Sequence, residues 1–268
     1  MIANVLTIAG LDPSGGAGVL ADVKTFSALG AYGTAVLTAV TAQSTQGVRA
    51  VRQLDADLVQ AQLDTLLDDV RIDAVKIGML GSAEVVRTVA AVLRRRRLPH
   101  VVLDPVMVAK GGDRLLDVVA VGALRSELLP LCDLVTPNLP EAADLLGEAE
   151  APDEETMRDQ LEQLKALAPG VLLKGGHLDG DESIDLLAVE GEHLRLAAPR
   201  VATKNTHGTG CTLSSAIAAL RPRATSWRQA VEEAKTYVTA AIGAGDRLDV
   251  GSGHGPLHHF VQLWDRGS

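Results

Sequence analysis

Asn205-Thr206-His207-Gly208-Thr209-Gly210-Cys211-Thr212 runs directly into Leu213, Ala216, Ile217 and Leu220, which recur at helical spacing. A glycine loop therefore opens an apolar helix. Gly208 and Gly210 permit close backbone approach, and the free N–H groups at the helix start converge on one point with the positive end of the dipole behind them. That arrangement is an anion hole; a tight turn before a core helix is the plainer account of the same residues. Cys211 falls in the first helical turn, where the local field favours thiolate, which makes it a candidate base or oxyanion-site residue. Filling a small buried gap is its plainer role, and the only one open to Cys132 in LLPLCDLV.

An anion hole serves phosphoryl transfer when a cation and metal-binding carboxylates surround the transferred group, because that catalysis is mostly positioning and charge stabilisation. Lys174, Asp104, Asn138 and Glu141 could supply these. Each alone reads as a solvated polar group at a strand end; their convergence at the ends of separate strands is what suggests a site. No Gly-Lys dipeptide occurs, so a Walker-type loop is excluded, and GSGHGP near the end fails the dinucleotide-binding spacing. His254, His258 and His259 suggest a metal cluster, but Gly255 and Pro256 interrupt the segment and weigh against one.

The elements that must hold these residues alternate. VLTIAG (5–10), TAVLTAVTAQ (34–43), AVKIG (74–78), VVLD (101–104), LVTPN (134–138) and VLLKGG (171–176) read as strands. Amphipathic patterns between them, as at 58–67 and 85–93, read as helices. This predicts an α/β fold with a mostly parallel sheet covered on both faces. ESIDLLAVE and EHLRLAAP, parted by Gly191, predict an antiparallel hairpin at the sheet edge, and helices follow at about 209–220 and 226–246. The acidic stretch at 149–155 reads as a loop entering a helix, and the whole span 1–268 as one domain. Ligands in open sheets sit beyond the carboxyl ends of the strands, where the loop Gly10–Gly18, Gln43, Lys76–Met79, Asp104, Asn138 and Lys174 fall.

Composition narrows the functions further. The chain has 268 residues with 25 Lys plus Arg against 34 Asp plus Glu, a net charge of −9, which is the wrong sign for broad attraction to nucleic acid or anionic lipid. Only six residues are aromatic, too few to stack unpaired bases. Arg94 to Arg97 close a helical pattern, where cations complement the carbonyl end of the dipole. Two cysteines without metal spacing, and no secretory leader, fit a reducing cytoplasm. The uncharged segment from Thr25 to Val48 is broken by glycines and polar residues and reads as a buried helix end plus a strand, not a membrane span.

AGLDPSGGAGVLADVKTF (9–26), TAVTAQSTQGV (38–48), KIGML (76–80), LDPVM (103–107), TPNLPEA (136–142), LLKGGH (172–177), KNTHGTGCTLSSAIAA (204–219) and GHGPLHHF (253–260) together resemble the hydroxymethylpyrimidine/phosphomethylpyrimidine kinases of thiamine synthesis. The blocks keep that family's order and spacing over nearly the whole chain. The resemblance implies a ribokinase-like three-layer αβα sandwich and two successive ATP-dependent phosphorylations, of an aminopyrimidine alcohol and then of its monophosphate. It implies magnesium at Asp104 and Glu141, nucleotide contacts at Asn138, Lys174, Thr206 and Thr209, and catalysis by Cys211, Lys174, Gly208 and Gly210. Cysteine then stands where sugar kinases of this fold carry an aspartate base, which suits a second transfer to an already anionic phosphate. Gln43, Asp22, Met79 and Gly10 fall near the pyrimidine by the same resemblance. The Gln43 carboxamide donates and accepts side by side, as an aminopyrimidine edge requires. A satisfied polar strand end, a capping or exposed acid and core filler are the plainer roles of Gln43, Asp22 and Met79. A homodimer is also implied. A pyridoxal kinase of the same fold is the nearest alternative function, and a non-catalytic pyrimidine-binding regulator is one of another class.

Overall fold

Successive side chains along the inner strands enter two different cores. Val5, Ala74, Val102, Leu134 and Leu172 belong to one; Leu6, Val75, Val101, Leu103, Val135, Val171 and Leu173 belong to the other. This is the period of two expected of a pleated sheet covered on both faces. In the computed structural model, which describes residues 1–107, 116 and 118–264, the strands are β1 (Asn4–Leu11), β2 (Tyr32–Ser44), β3 (Gly47–Gln53), β4 (Ala74–Ile77), β5 (Val101–Leu103), β6 (Leu134–Val135), β7 (Val171–Lys174), β8 (Glu182–Val189) and β9 (Glu192–Pro199). They form one sheet in the order β3-β2-β1-β4-β5-β6-β7-β8-β9. Pairing is parallel from β2 through β7 and antiparallel for β3, β8 and β9.

The first core lies under α1 (Gly18–Ala28), α7 (Thr209–Leu220) and α8 (Trp227–Gly243); the second lies under α2 (Ala56–Asp69), α3 (Ala83–Arg96), α4 (Val118–Ala123), α5 (Leu139–Leu146) and α6 (Glu154–Leu164). The expected αβα layering is present. So are the six sequence-read strands and the edge hairpin. The sequence reading overlooked β3, whose residues are nearly all exposed and so carry no burial pattern.

Two features of this frame aim the site. After β1 the chain crosses through α1 to β2, and after β3 and α2 it returns to the other side of β1 as β4. The carboxyl ends of β1 and β4 therefore splay apart at a topological switch point. Helix α5, for its part, starts on a reciprocal cap: Glu141 N–H donates to Asn138 Oδ1 at 2.8 Å, and Asn138 N–H donates to Glu141 Oε2 at 2.8 Å, an arrangement worth about 1 kcal/mol. The four arginines end α3 as expected, with Arg95 paired to Asp64 at 2.5 Å and Arg94 donating to the Glu127 carbonyl at 3.0 Å.

Candidate active site

A cavity of about 950 Å³ opens across the carboxyl ends of the parallel strands. One end is walled by Gly10, Gln43, Met79 and His207; the middle by Asp104, Lys174 and Cys211; the far end by Asp185, Val201, Lys235 and Val238. Its size suits a small ring together with a nucleotide. Thr206, Gly208, Thr209, Gly210, Asn138 and Glu141 also line it, so every site residue proposed from sequence reaches this cavity except Asp22.

Two glycine loops interlock at its floor. Gly208 has φ 79°, and a Cβ there would lie 1.8 Å from the carbonyl oxygen of Gly16. No other residue type fits. The approach sets the amino end of α7 against the loop after β1, so its first N–H groups face the cavity. Asp12 holds the other loop: its carboxylate accepts from Ser14 N–H at 2.9 Å, Ser14 Oγ at 2.9 Å and Ala17 N–H at 3.0 Å, and lies 2.8 Å from His207 Nε2. Burial opposes ionisation of Asp12, but the hydrogen bonds from His207 and Ser14 outweigh it and leave the carboxyl below its usual range.

Lys174 Nζ donates to Asp104 Oδ1 at 2.8 Å and lies 3.9 Å from Glu141 Oε2. Desolvation acts against the ammonium, yet Asp104 and Glu141 hold it charged with its pKa above the ordinary range. Burial pushes Glu141 up to about 7, against the opposing pull of Lys174 and with further help from Asp104. Two carboxylates crowded beside one cation form a hard-oxygen site that would be relieved by more positive charge. Across from them, a Cβ on Gly210 would meet Lys174 Nζ at 3.1 Å, so the helix start and this cluster face the same point.

A family model described as phosphomethylpyrimidine kinase matches residues 12–258. The chain belongs to the phosphomethylpyrimidine kinase family. It is 55% identical over 262 residues, 97% of this chain and 98% of the relative, to the hydroxymethylpyrimidine/phosphomethylpyrimidine kinase of Escherichia coli. A phosphomethylpyrimidine kinase structure from Clostridium difficile aligns with TM-score 0.79 and 39% identity, covering 90% of this chain and 99% of that one. The pyridoxal kinase of Staphylococcus aureus, solved with AMP-PCP and pyridoxal, aligns with TM-score 0.90 and 34% identity, covering 99% of this chain and 96% of that one. The chain is thus a phosphotransferase with the ribokinase-like fold expected from its motifs.

Two of the readings for this kinase need correction. Asp22 does not wall the cavity: it has no exposed surface and accepts from Thr7 Oγ1 at 2.6 Å, Ser215 Oγ at 2.7 Å and Lys76 Nζ at 2.9 Å. Its role toward the ring is at most indirect, through Lys76, which does reach the cavity. Nor is Cys211 set as a thiolate. Desolvation pushes its pKa up to about 11; Lys76 and a hydrogen bond from Gly18 N–H act downward, but Asp104 and Asp22 add to the rise. The helix-end field is real and is outweighed. His258 and His259 are buried and turned to other work, His259 Nε2 lying 3.2 Å from Thr212 Oγ1 and His258 packing edge-on against Trp264. Among the described residues no group of three or more His, Cys, Asp or Glu could hold a metal ion by itself.

Sequence reasoning puts Asp12, His207 and Lys76 in segments near the site and gives none of them a role of its own. His207 stands inside the glycine motif, and its neighbours drew the argument toward backbone N–H groups. Lys76 sits in the apolar run AVKIG, and a charged residue inside a buried strand is itself the signal.

Proposed function

We propose that this kinase phosphorylates 4-amino-5-hydroxymethyl-2-methylpyrimidine with ATP, first to the monophosphate and then to the diphosphate, in thiamine biosynthesis. The observation that carries the reading is the layout of the cavity. The Gln43 amide stands at one end, the Lys174–Asp104–Glu141 cluster and the α7 start lie in the middle, and room for a nucleotide lies beyond.

The hydroxymethyl arm points from the ring end toward the amino terminus of α7. Backbone N–H groups from Gly208 to Cys211 take the charge that grows on the transferred phosphoryl oxygens, and Lys174 neutralises the bridging region. Asp104 and Glu141, each with one oxygen already committed to Lys174 or to the α5 cap, have the oxygen chemistry to hold magnesium with phosphate and water completing its shell. Bound there, magnesium would neutralise phosphate charge. In the first transfer an alcohol loses a proton; Cys211 takes it in its minor thiolate form, with Lys76 favouring that form. In the second transfer the acceptor is already anionic and Cys211 is not needed as a base.

The same reading includes one domain, a cytoplasmic location and a homodimer. Two cysteines without metal or disulfide spacing support the cytoplasm and the family resemblance supports the homodimer; among the described residues no helix is long and apolar enough to cross a membrane.

The test is ATP consumption by the purified protein with the pyrimidine alcohol or with pyridoxal, recording product masses over time and withholding magnesium as a control. Sequential mono- and diphosphates of the pyrimidine are expected. Pyridoxal phosphate as sole product would leave the phosphate machinery standing and overturn the substrate; binding without consumption would make the chain a sensor.

A further inference from the structure

The ring end of the cavity holds a short polar chain that the reaction itself does not use. Thr41 Oγ1 lies 2.9 Å from the Leu11 carbonyl oxygen and 3.2 Å from Gln43 Oε1; Gln43 Nε2 lies 3.4 Å from His207 Nε2, which is 2.8 Å from Asp12 Oδ2. The two ends of this chain are acceptors only. A backbone carbonyl has no hydrogen to give, so the single hydroxyl hydrogen of Thr41 goes to Leu11, and the Thr41 oxygen then faces Gln43 as an acceptor. Asp12 already accepts three other hydrogen bonds and is ionised, so His207 Nε2 must carry a hydrogen; that hydrogen goes to Asp12, and Nε2 keeps no lone pair for an N–H of Gln43.

Both neighbours therefore dictate the same amide orientation. The amide satisfies both when it makes a half-turn from the placement above, which exchanges its two terminal atoms in place and sets the nitrogen toward Thr41 and the oxygen toward His207. One N–H and one oxygen lone pair remain for the cavity, in a fixed order. We propose that His207, pinned by Asp12, is a positioning residue that sets the order of donor and acceptor Gln43 presents, and so selects the ring.

This inference rests on the proposed substrate. An aminopyrimidine carries an exocyclic N–H₂ beside a ring nitrogen, a donor and an acceptor bonded to one carbon, which match an amide in one orientation only. Pyridoxal carries its phenol and its ring nitrogen on non-adjacent atoms and offers no such pair. Without His207 the amide is held from one side only and can turn, and its preference for the pyrimidine falls. His207 is also fixed in space: a Cβ on Gly16 would meet its Cδ2 at 2.4 Å, and its backbone N–H donates to Gly255 O at 3.0 Å. The ring has no room to follow the amide.

The experiment is steady-state kinetics with the pyrimidine alcohol and with pyridoxal for the wild type, His207→Leu, His207→Gln and Thr41→Val. For His207→Leu the pyrimidine KM should rise about tenfold or more, the KM for ATP should stay within about twofold, and the pyrimidine-to-pyridoxal ratio of kcat/KM should narrow about tenfold. His207→Gln, which keeps an N–H for Asp12, should restore most of that ratio. Thr41→Val releases the amide from the other side and leaves the Gly208–Gly16 approach and the Asp12–His207 pair in place; it should narrow the ratio too, and it keeps the test alive if His207→Leu does not fold. An equal loss on both substrates, or an unchanged ratio in Thr41→Val, overturns the inference and leaves His207 as a loop brace. A wild type that does not act on the pyrimidine at all overturns the proposed substrate instead, which the variants' ratio does not measure.

Discussion

Lys76 Nζ lies 2.9 Å from both carboxylate oxygens of Asp22, and neither side chain has any exposed surface. The pair spans β4 and α1, Lys76 forming part of the cavity wall and Asp22 standing directly behind it, with Thr7 and Ser215 completing the carboxylate's hydrogen bonds. Burial works against the Lys76 charge, but Asp22, with Cys211 and Asp104, holds its pKa above the usual lysine range. A permanent ammonium is thereby fixed beneath the reacting groups.

Removing one partner strands the other. Asp22→Asn should destabilise the fold by about 3–5 kcal/mol, because it leaves a desolvated ammonium without its counter-charge. Pairing it with Lys76→Met should recover a large part of that loss. Urea unfolding of the two single variants and the double variant completes the cycle; an additive double variant would show that the charges do not depend on each other.

The glycine loop separates two substitutions that look alike on paper. Gly208→Ala combines a left-handed backbone with a Cβ 1.8 Å from the Gly16 carbonyl, so the two loops must part. Both phosphorylations should fall by about 10²–10³, the cost of losing an anion-hole donor. Gly210→Ala meets side chains only, Lys174 Nζ at 3.1 Å and the Asp104 oxygens at 3.6 and 3.7 Å, which need to give by no more than a few tenths of an ångström, and should cost both transfers far less. Single-turnover rates for each step compare them directly, and a Gly210→Ala loss as large as that of Gly208→Ala would refute the ranking.

Acid stability depends on a buried histidine. Burial lowers the His259 pKa to about 4, with Lys24, His258 and His207 acting in the same direction. The unfolded chain binds this proton near pH 6.5 and the folded chain only near 4, so stability falls as pH drops through that window, and this group's share of the loss levels off below it at about 3 kcal/mol. His259→Gln keeps a polar partner for Thr212 and removes the titration. Urea midpoints at pH 7, 5.5 and 4.5 should fall less steeply in the variant, and parallel slopes would assign the acid sensitivity to other groups.

What could be read from the sequence was whatever burial or backbone freedom writes into residue type. The inner strands announce themselves because both faces are apolar, and Gly208 because no side chain fits. Strand β3 left no such mark, being exposed on both sides. Asp22 was placed in the right neighbourhood but on the wrong side of the wall: helical spacing cannot tell whether an acid meets a ligand or a lysine from another strand. The Asp12–His207 pair joins positions 195 residues apart and has no local signature at all.

Cys211 was the least legible residue, because a helix start and a buried site push a thiol in opposite directions. With its pKa up to about 11, the thiolate share at pH 7 is about 10⁻⁴ and grows about tenfold per pH unit. If that thiolate takes the alcohol's proton, the first phosphorylation should accelerate with pH between 7 and 9. The second should stay flat, since its acceptor is already ionised. Cys211→Ala should then slow the first transfer more than the second and abolish its pH slope, because no titrating base remains. Rates of each step with saturating ATP across that range decide the matter: equal losses and parallel profiles would leave Cys211 as a polar wall of the anion hole, with the proton leaving directly to phosphate or water.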